Sequence, residues 1–112
     1  MSTALVTGVV DTHCAGYAAA RRLAAAGHHV IVAAPQRADA ELAAAQLRAE
    51  GIAASPLRLD VTNVECFLVI VQELRTRFGR LAEVVDGGDL AAAPELAAAL
   101  RGLLEEEPMT AA

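Results

Sequence analysis

Lysine and tryptophan are absent from the 112-residue sequence, and aromatic residues make up only 3% of it. Without lysine, these residues supply no Schiff-base amine, no phosphate-loop lysine and no Tyr–Lys catalytic pair. The nine basic residues are all arginine and are outnumbered by fourteen acidic residues, which leaves a net charge of −5. An acidic chain without clustered arginines binds nucleic acid poorly, so we expect no nucleic-acid partner.

Long apolar runs and a signal segment are also missing. No apolar run is long enough to span a bilayer, and the amino terminus has no basic segment leading into a signal-like core. The only cysteines, Cys14 and Cys66, are expected to be thiols and not a disulfide. We therefore expect a cytoplasmic protein without a membrane partner.

The residues that are present alternate between strand-like and helix-like segments. Hydrophobic residues form 55% of the chain, and its length suits one domain with an aliphatic core. The pattern predicts strands at residues 3–7, 29–34, 52–59 and 81–85. It predicts helices at residues 14–26, 40–50, 64–78 and 94–107. The prediction is a single domain over residues 1–107 with a disordered tail at 108–112.

Local signals place the ends of these helices. Gly27 ends the first helix, and Asp39 is expected to cap the second. Thr62 or Asn63 is expected to cap the third helix, and Pro94 fits the first turn of the last. The second helix is expected to place three residues near one face, namely Leu42, Ala45 and Leu47.

The alternation of strands and helices predicts an α/β fold with a parallel sheet covered by helices on both faces. Right-handed crossovers give the strand order 3-2-1-4 in a Rossmann-like three-layer sandwich. Four strands correspond to half of a doubly wound sheet, so we expect a truncated, half Rossmann-like domain. The fourth strand is then left with an unpaired edge, which either the last helix or a second copy must cover.

The third predicted helix has more apolar surface than one buried face requires. Its sheet-facing stripe is predicted to contain six residues, Val64, Phe67, Leu68, Val71, Leu74 and Phe78. Cys66, Val69 and Ile70 then fall on other faces. We expect a homodimer through this surface. The alternative is that the last helix covers these residues within one chain.

Residues 5–27 form a short apolar strand, a glycine-bearing turn and an alanine-rich helix, which is typical of the opening of a nucleotide-binding βαβ unit. Over roughly residues 3–89 the chain resembles the N-terminal half of the short-chain dehydrogenase/reductase family. The pieces that carry the resemblance are Thr3-Ala4-Leu5-Val6-Thr7-Gly8, Gly16 with Leu23-Ala24-Ala25-Ala26-Gly27, His29-Val30-Ile31-Val32-Ala33-Ala34, Leu59-Asp60-Val61-Thr62 and Phe78-Gly79-Arg80-Leu81. The resemblance implies a Rossmann-like fold that binds a nicotinamide dinucleotide.

The chain departs from the family pattern at several positions. The glycine loop of the family matches Gly8 and Gly16, but two extra residues lie between them and Cys14 stands where the middle glycine belongs. A side chain there obstructs the approach of a pyrophosphate to the backbone. The segment that carries the family's catalytic Ser and Tyr-x-x-x-Lys is absent, and the sole tyrosine is Tyr17 on the first helix. We therefore expect no stand-alone NAD(P)-dependent oxidoreductase.

In an open α/β sheet, ligands bind beyond the carboxyl ends of the strands where the strand order reverses. That crevice is expected to contain six polar residues, Asp11, His13, Cys14, Asp60, Asp86 and Asp89. Asp11 and His13 are predicted to be an acid/base pair, Cys14 a reactive thiol and Asp86 a further catalytic group. The predicted function is a non-redox step such as isomerisation, dehydration or cyclisation of a small organic substrate, in a bacterial biosynthetic pathway.

Simpler roles for the same residues remain open. Asp11 or Thr12 is an equally reasonable N-cap of the first helix, and Cys14 is an equally reasonable small buried residue. No ligand spacing supports a metal site made of Asp11, His13 and Asp86. The alternative function is a non-catalytic binding or structural subunit that docks on a partner through the third helix and the edge of the fourth strand.

The acidic residues also bear on the cofactor. Like charges about 6 Å apart at an effective dielectric constant near 20 repel by on the order of 3 kcal/mol, whereas a helix amino terminus offers about 0.3–2 kcal/mol to an anion. No bound cofactor is therefore the expectation. Arg37 follows the second strand, where NADP-preferring members of the family hold an arginine. If a dinucleotide is retained, we expect NADP, held by five residues, Gly8, Gly16, Arg37, Asp60 and Val61.

Overall fold

A computed structural model describes residues 2–9, 13–60, 67–87 and 93–104. Within these ranges, four strands alternate with four helices in the order β1 (Thr3–Val6), α1 (Ala15–Ala25), β2 (His29–Ala34), α2 (Arg37–Ala49), β3 (Ala54–Arg58), α3 (Phe67–Phe78), β4 (Glu83–Val85) and α4 (Pro94–Arg101). The strands are parallel and lie in the order β3-β2-β1-β4. The predicted fold class and strand order are confirmed.

The sheet separates two hydrophobic clusters. Leu5 and Ile31 point to one face, where Leu74 of α3 and Leu100 of α4 cover them. Ala4, Val6, Val30 and Val32 point to the other face, where α1 and α2 cover them. Because both faces are covered, the central strand β2 is a continuous apolar run and not an alternating one. The molecule is therefore the three-layer sandwich that the alternation of elements predicted.

The second helix differs from its prediction at its start and on its buried face. The structure begins α2 at Arg37, so Asp39 lies in the first turn and is not the cap. The buried face consists mainly of alanines at helical spacing, Ala40, Ala43, Ala44 and Leu47. Leu42 is 58% exposed, and Ala45 is exposed as well. The prediction that placed these two residues beside Leu47 was wrong, because four small or apolar residues at i, i+3, i+4 and i+7 already complete the stripe.

The residues of the third helix that face the sheet also differ from the predicted ones. Phe67, Ile70 and Leu74 are buried, whereas Leu68 is 76% exposed. Leu68 was predicted to face the sheet and Ile70 to face away, and both predictions were wrong. The observed residues lie on one line at spacings of three and four, and Leu68 is one position off that line. Val69 is exposed as predicted. Val64, Cys66 and the predicted caps Thr62 and Asn63 lie outside the described residues.

The segment that follows α4 covers part of the sheet edge next to β4. The helix ends at Arg101 and not near residue 107, the predicted end. Beyond it, the carbonyl of Leu103 accepts a hydrogen bond from the N–H of Leu81 at 2.8 Å, and Leu104 forms a parallel bridge with Leu81. The start of the β4 edge is thus covered by the chain itself. Residues 105–112, which include the predicted tail, lie outside the described residues.

The opposite edge of the sheet is protected by a proline and an arginine. The carbonyl of Ala53 and the N–H of Leu59 both bond to β2. Because backbone groups alternate along a strand, Pro56 faces the open side of β3, where it has no N–H to offer. Arg48 of α2 donates its Nε–H to the carbonyl of Ala54 at 2.9 Å. Both features are typical of edge strands that resist pairing with another chain.

None of the described helices has the length and apolar character needed to cross a membrane.

Candidate functional site

The carboxyl ends of the strands meet at one edge of the sheet, and the turn after β1 lies at its centre. Thr7 donates its N–H to the carbonyl of Val85 at 3.0 Å, and Val9 donates its N–H to the carbonyl of Ala33 at 2.9 Å. These bonds fasten the turn to β4 on one side and to β2 on the other. Gly8, between the two donors, has φ +69°, a conformation that L side chains rarely adopt. The sequence therefore needs glycine at this position of the turn.

Three glycines of this region lie where a Cβ atom would have little or no room. A Cβ atom on Gly87 would lie 1.9 Å from the carbonyl oxygen of Thr7, and one on Gly8 would lie 3.0 Å from the carbonyl oxygen of Gly87. A Cβ atom on Gly16 would lie 3.2 Å from both the Thr7 oxygen and a methyl of Val9. We call Gly8, Gly16 and Gly87 the glycine cluster. It brings β1, the start of α1 and the end of β4 into backbone contact.

Thr7 and Gly87 were not among the predicted site residues. Thr7 is fully buried, and its Oγ1 accepts a hydrogen bond from the backbone N–H of Gly87 at 3.2 Å. The glycine-rich run Asp86-Gly87-Gly88-Asp89 was the signal that could have pointed to Gly87. The partner on β1 could not be found in the same way, because only the strand register places Thr7 opposite it.

Cys14 occupies the N-cap position of α1, so the alternative in which Asp11 or Thr12 is the N-cap does not hold. Its side chain makes no hydrogen bond to the helix. The Sγ atom instead points to the carbonyl of Gly8, at 3.8 Å. Cys14 is half-buried against the α1/α2 cluster, which agrees with its interpretation as a small packed residue. The thiol therefore lies between the turn and the first residues of the helix.

The other predicted site residues are spread along the same edge. His13 and Asp86 are exposed, and Asp60 is half-buried, with its carboxylate 4.0 Å from the guanidinium of Arg58. Arg37 is exposed as the first residue of α2, 3.6 Å from Glu41. The structure thus brings Gly8, Cys14 and Gly16 together. Asp11, Val61 and Asp89 lie outside the described residues.

The remaining histidines lie away from this edge, and the hydroxyl of the tyrosine is directed to the end of α2. His28 and His29 are at the amino ends of the strands, where they bond to the hydroxyls of Ser2 and Ser55 at 2.6 and 2.9 Å. The Tyr17 hydroxyl donates to Glu50 at 2.8 Å, and Glu50 also pairs with Arg21 at 3.0 Å. Burial, followed by the hydrogen bond and negative charge of Glu50, raises the pKa of Tyr17 above 10.0. Tyr17 therefore joins α1 to the end of α2 and is not placed for chemistry in the crevice.

Over the described ranges, no group of three or more His, Cys, Asp and Glu side chains is placed to hold a metal ion.

The sheet order and the helices on both faces of the sheet define a Rossmann-like α/β fold. A model of the short chain dehydrogenase family matches residues 2–99, and the chain belongs to that family. This confirms the resemblance seen in the sequence. A comparison with curated proteins finds no match.

The solved structures that are similar to this chain include two at 35% and 29% sequence identity. One is that of gox2181, at 35% sequence identity and a TM-score of 0.69. The other is a variant of actinorhodin polyketide ketoreductase with NADPH, at 29% identity and a TM-score of 0.68. Each similarity covers 76% of this chain and 32% of the other. The 112 residues thus span about a third of the length of these relatives.

Proposed function

We propose that this chain is a dinucleotide-binding unit of the short-chain dehydrogenase family, and that it takes NADP in preference to NAD. The glycine cluster at the amino end of α1 carries the proposal, because it keeps the turn after β1 free of side chains at Gly8 and Gly16. A helix amino terminus attracts anions through its N–H groups and its dipole. The similarity to a ketoreductase solved with NADPH supports the same ligand.

The described residues fit a dinucleotide in two further respects. The N-cap residue Cys14 supplies no capping oxygen that would compete with a phosphate for the helix N–H groups. Asp60, one of the carboxylates expected to repel a phosphate, has the guanidinium of Arg58 at 4.0 Å. A neighbouring cation reduces the repulsion that Asp60 exerts on a phosphate. The expectation that the Cys14 side chain obstructs a diphosphate stays a prediction.

The preference for NADP rests on the residues after β2. The strand ends at Ala34, so it presents no carboxylate at its end, and Arg37 follows in the first turn of α2. A guanidinium there would attract the 2′-phosphate of NADP, whereas NAD selection normally uses an acidic residue in this region. The dinucleotide would supply the hydride chemistry, and the chain's own residues would bind and orient it. Because the 112 residues include no lysine and Glu50 holds Tyr17, they contain no Tyr–Lys pair.

Calorimetric titration of the folded protein with NADP and NAD tests the proposal. NADP is expected to bind at least tenfold more tightly than NAD, and Arg37→Ala is expected to reduce that ratio to about one, since a charge-assisted contact of about 1.4 kcal/mol equals a factor of ten. Arg22→Ala, in the last turn of α1, is the control and should leave the ratio unchanged. Absence of binding of either dinucleotide to the folded protein would overturn the proposal.

Cys14 offers a second, independent variant for the same titration. If the thiol obstructs the diphosphate, Cys14→Gly will bind NADP several-fold more tightly than the original protein. If the thiol is only a packed residue of the turn, the two dissociation constants will agree within about twofold. Neither result bears on the preference for NADP over NAD, which the Arg37→Ala titration tests.

A non-redox acid/base step on a small organic substrate is the second candidate. The observation that favours it is the placement of His13, an exposed imidazole, at the same strand edge as the exposed Asp86. Imidazole can donate or accept a proton at neutral pH. For any substrate that the protein turns over, Asp11→Ala and His13→Ala should each lower kcat by about 10²-fold or more. Turnover that survives both changes in a folded protein would exclude this mechanism.

A further inference from the structure

A cluster of basic side chains lies on the outer side of β3, away from the turn after β1. A cavity of about 200 Å³ opens between α2 and α3, and three arginines, Arg37, Arg58 and Arg77, line it together with Glu73. Its other lining residues are Ala40, Pro56 and Leu57. We call this cavity the β3 groove. It holds three of the nine arginines of a chain whose net charge is −5.

The ion pairs that hold two of these arginines are long and exposed. Arg37 is 3.6 Å from Glu41, and Arg58 is 4.0 Å from Asp60. Arg77 pairs more closely with Glu73, at 2.9 Å, and lies 4.9 Å above the Phe78 ring. Exposed ion pairs contribute about 0–1 kcal/mol, so a stronger anion can displace them at small cost.

The backbone of β3 adds a donor to the same groove. The N–H of Leu59 bonds to β2, so the N–H of Arg58 faces the open edge. Pro56, two residues earlier, has no N–H and leaves an apolar floor there. The groove therefore combines three guanidiniums and one backbone donor with a small apolar surface.

We propose that the β3 groove binds the phosphate group of a phosphomonoester, at a site separate from the dinucleotide. A phosphate dianion has several acceptor oxygens, and guanidinium forks match their geometry. The cavity is below the size of pockets that enclose drug-sized ligands, so it suits the phosphate and the first atoms of the group it esterifies. The negative charge of the whole chain disfavours a polyanion such as nucleic acid.

The position of Arg77 separates this site from the one proposed for NADP. The dinucleotide is expected at the carboxyl ends of the strands, around Gly8 and Gly16. Arg77 is in the last turn of α3, a helix that starts near the carboxyl end of β3 and runs back toward the amino ends of the strands. A phosphate bound by Arg58 and Arg77 would thus lie beside β3 and not over the glycine cluster. Two residues take part in both proposals: Arg37, and Arg58, whose guanidinium lies 4.0 Å from Asp60.

The test is a titration of the isotope-labelled protein with inorganic phosphate and with phenyl phosphate at constant ionic strength, followed by amide resonances. We expect saturable shifts centred on Arg58, with phenyl phosphate binding more tightly because of the apolar floor. Arg77→Ala should weaken binding at least tenfold. Glu73→Gln removes a carboxylate from the same cavity and should strengthen binding several-fold. Arg101→Ala, in the last turn of α4, is the matched control and should change nothing.

Two results would overturn the proposal. One is a response to phosphate that does not saturate or that Arg77→Ala leaves unchanged. The other is an equal loss of phosphate and NADP affinity in Arg77→Ala, since the groove would then belong to the dinucleotide. A protein that binds phosphate in this way but binds no dinucleotide would support the β3 groove and refute the proposed cofactor function.

Discussion

The backbone N–H of Gly87 donates a hydrogen bond to Oγ1 of Thr7, and the space where Gly87 would carry a Cβ atom is already filled by the Thr7 carbonyl. The contact joins residues 80 positions apart, at the ends of two neighbouring strands. Because Thr7 also bonds to Val85, the turn after β1 is positioned by β4 as much as by its own sequence. The crevice therefore depends on the correct docking of β4.

Gly87→Ala should destabilise the protein by about 3 kcal/mol or more, because its methyl group would lie 1.9 Å from a buried backbone oxygen. Gly51→Ala is the control, since its Cβ atom would have no neighbour within 4 Å and only its φ of +85° would be strained. That strain should cost about 1–2 kcal/mol. Urea unfolding of the two variants measures the difference. Equal losses in both would show that Gly87 is not sterically confined.

Thr7→Val should lower the free energy of unfolding by about 1 kcal/mol, because the half-buried N–H of Gly87 would lose its acceptor. Valine has nearly the shape of threonine, so packing is preserved. Thr7→Ser keeps the hydroxyl and serves as the matched variant. It should recover most of the hydrogen-bond contribution in the same urea titration. A valine variant as stable as the original protein would contradict the prediction.

The titration of Tyr17 should have its midpoint above pH 10.0, since burial and then Glu50 raise its pKa. The folded state then holds its proton more tightly than the unfolded state, so the stabilisation is complete below pH 10.0 and is lost as the pH rises through the folded value. Tyr17 is the sole tyrosine and there is no lysine, so tyrosinate absorbance reports this residue alone. A midpoint at or below 10.0 would contradict the prediction.

Tyr17→Phe should cost about 1 kcal/mol at neutral pH, because Glu50 keeps Arg21 as a partner at 3.0 Å. The variant should also lose less stability than the original protein when the pH is raised above 10.0. Unfolding curves at two alkaline pH values provide the measurement.

His29 should make folding less favourable in acid. Burial, and then the positive charge of Arg48, lowers the pKa of His29 below 6.5. The unfolded state then binds the proton more readily, so the stabilisation is complete above pH 6.5 and is lost as the pH falls through the folded value. Below pH 6.5 the unfolding free energy of His29→Gln should fall less steeply than that of the original protein. Parallel slopes for the two proteins would contradict this.

The proposed homodimer can be tested with substitutions of exposed apolar residues at the start of α3. Leu68 and Val69 are 76% and 63% exposed, so Leu68→Glu with Val69→Glu should give monomers in sedimentation velocity without unfolding. Leu42→Glu, on α2, is the control because Leu42 is also exposed. Ile70→Glu should instead unfold the protein, since Ile70 is in the core. A sedimentation profile unchanged by the double variant would exclude this surface.

The sequence was sufficient for the layers of the fold but not for every helix face. A buried parallel strand such as β2 is a continuous apolar run, and Gly27 marks the end of α1. Both could therefore be located from the order of residues in the sequence. The buried face of α2 could not be located, because this helix has alanines on both its buried and its exposed faces and Leu42 looked like the better core residue. In α3, apolar residues at nearly every position of the first turn hid the true stripe.

The candidate site was predictable only where it is local in sequence. Gly8, Cys14 and Gly16 come from one loop, and their spacing already placed them together. Contacts between strands could not be found, because they depend on register. The β3 groove was missed for the same reason, since its arginines are dispersed along the chain and meet only when α2 and α3 flank β3.

The two edges of the sheet differ in how well they are protected from pairing with another strand. This difference limits how copies of the chain can assemble. Pro56 and the bond from Arg48 to Ala54 protect the β3 edge, whereas the part of the chain that the structure describes covers the β4 edge near Leu81 alone. If two copies paired through their β4 strands, the two outer edges of the joined sheet would be the protected β3 strands. Growth by strand addition would therefore terminate at a pair and would not continue into a fibril.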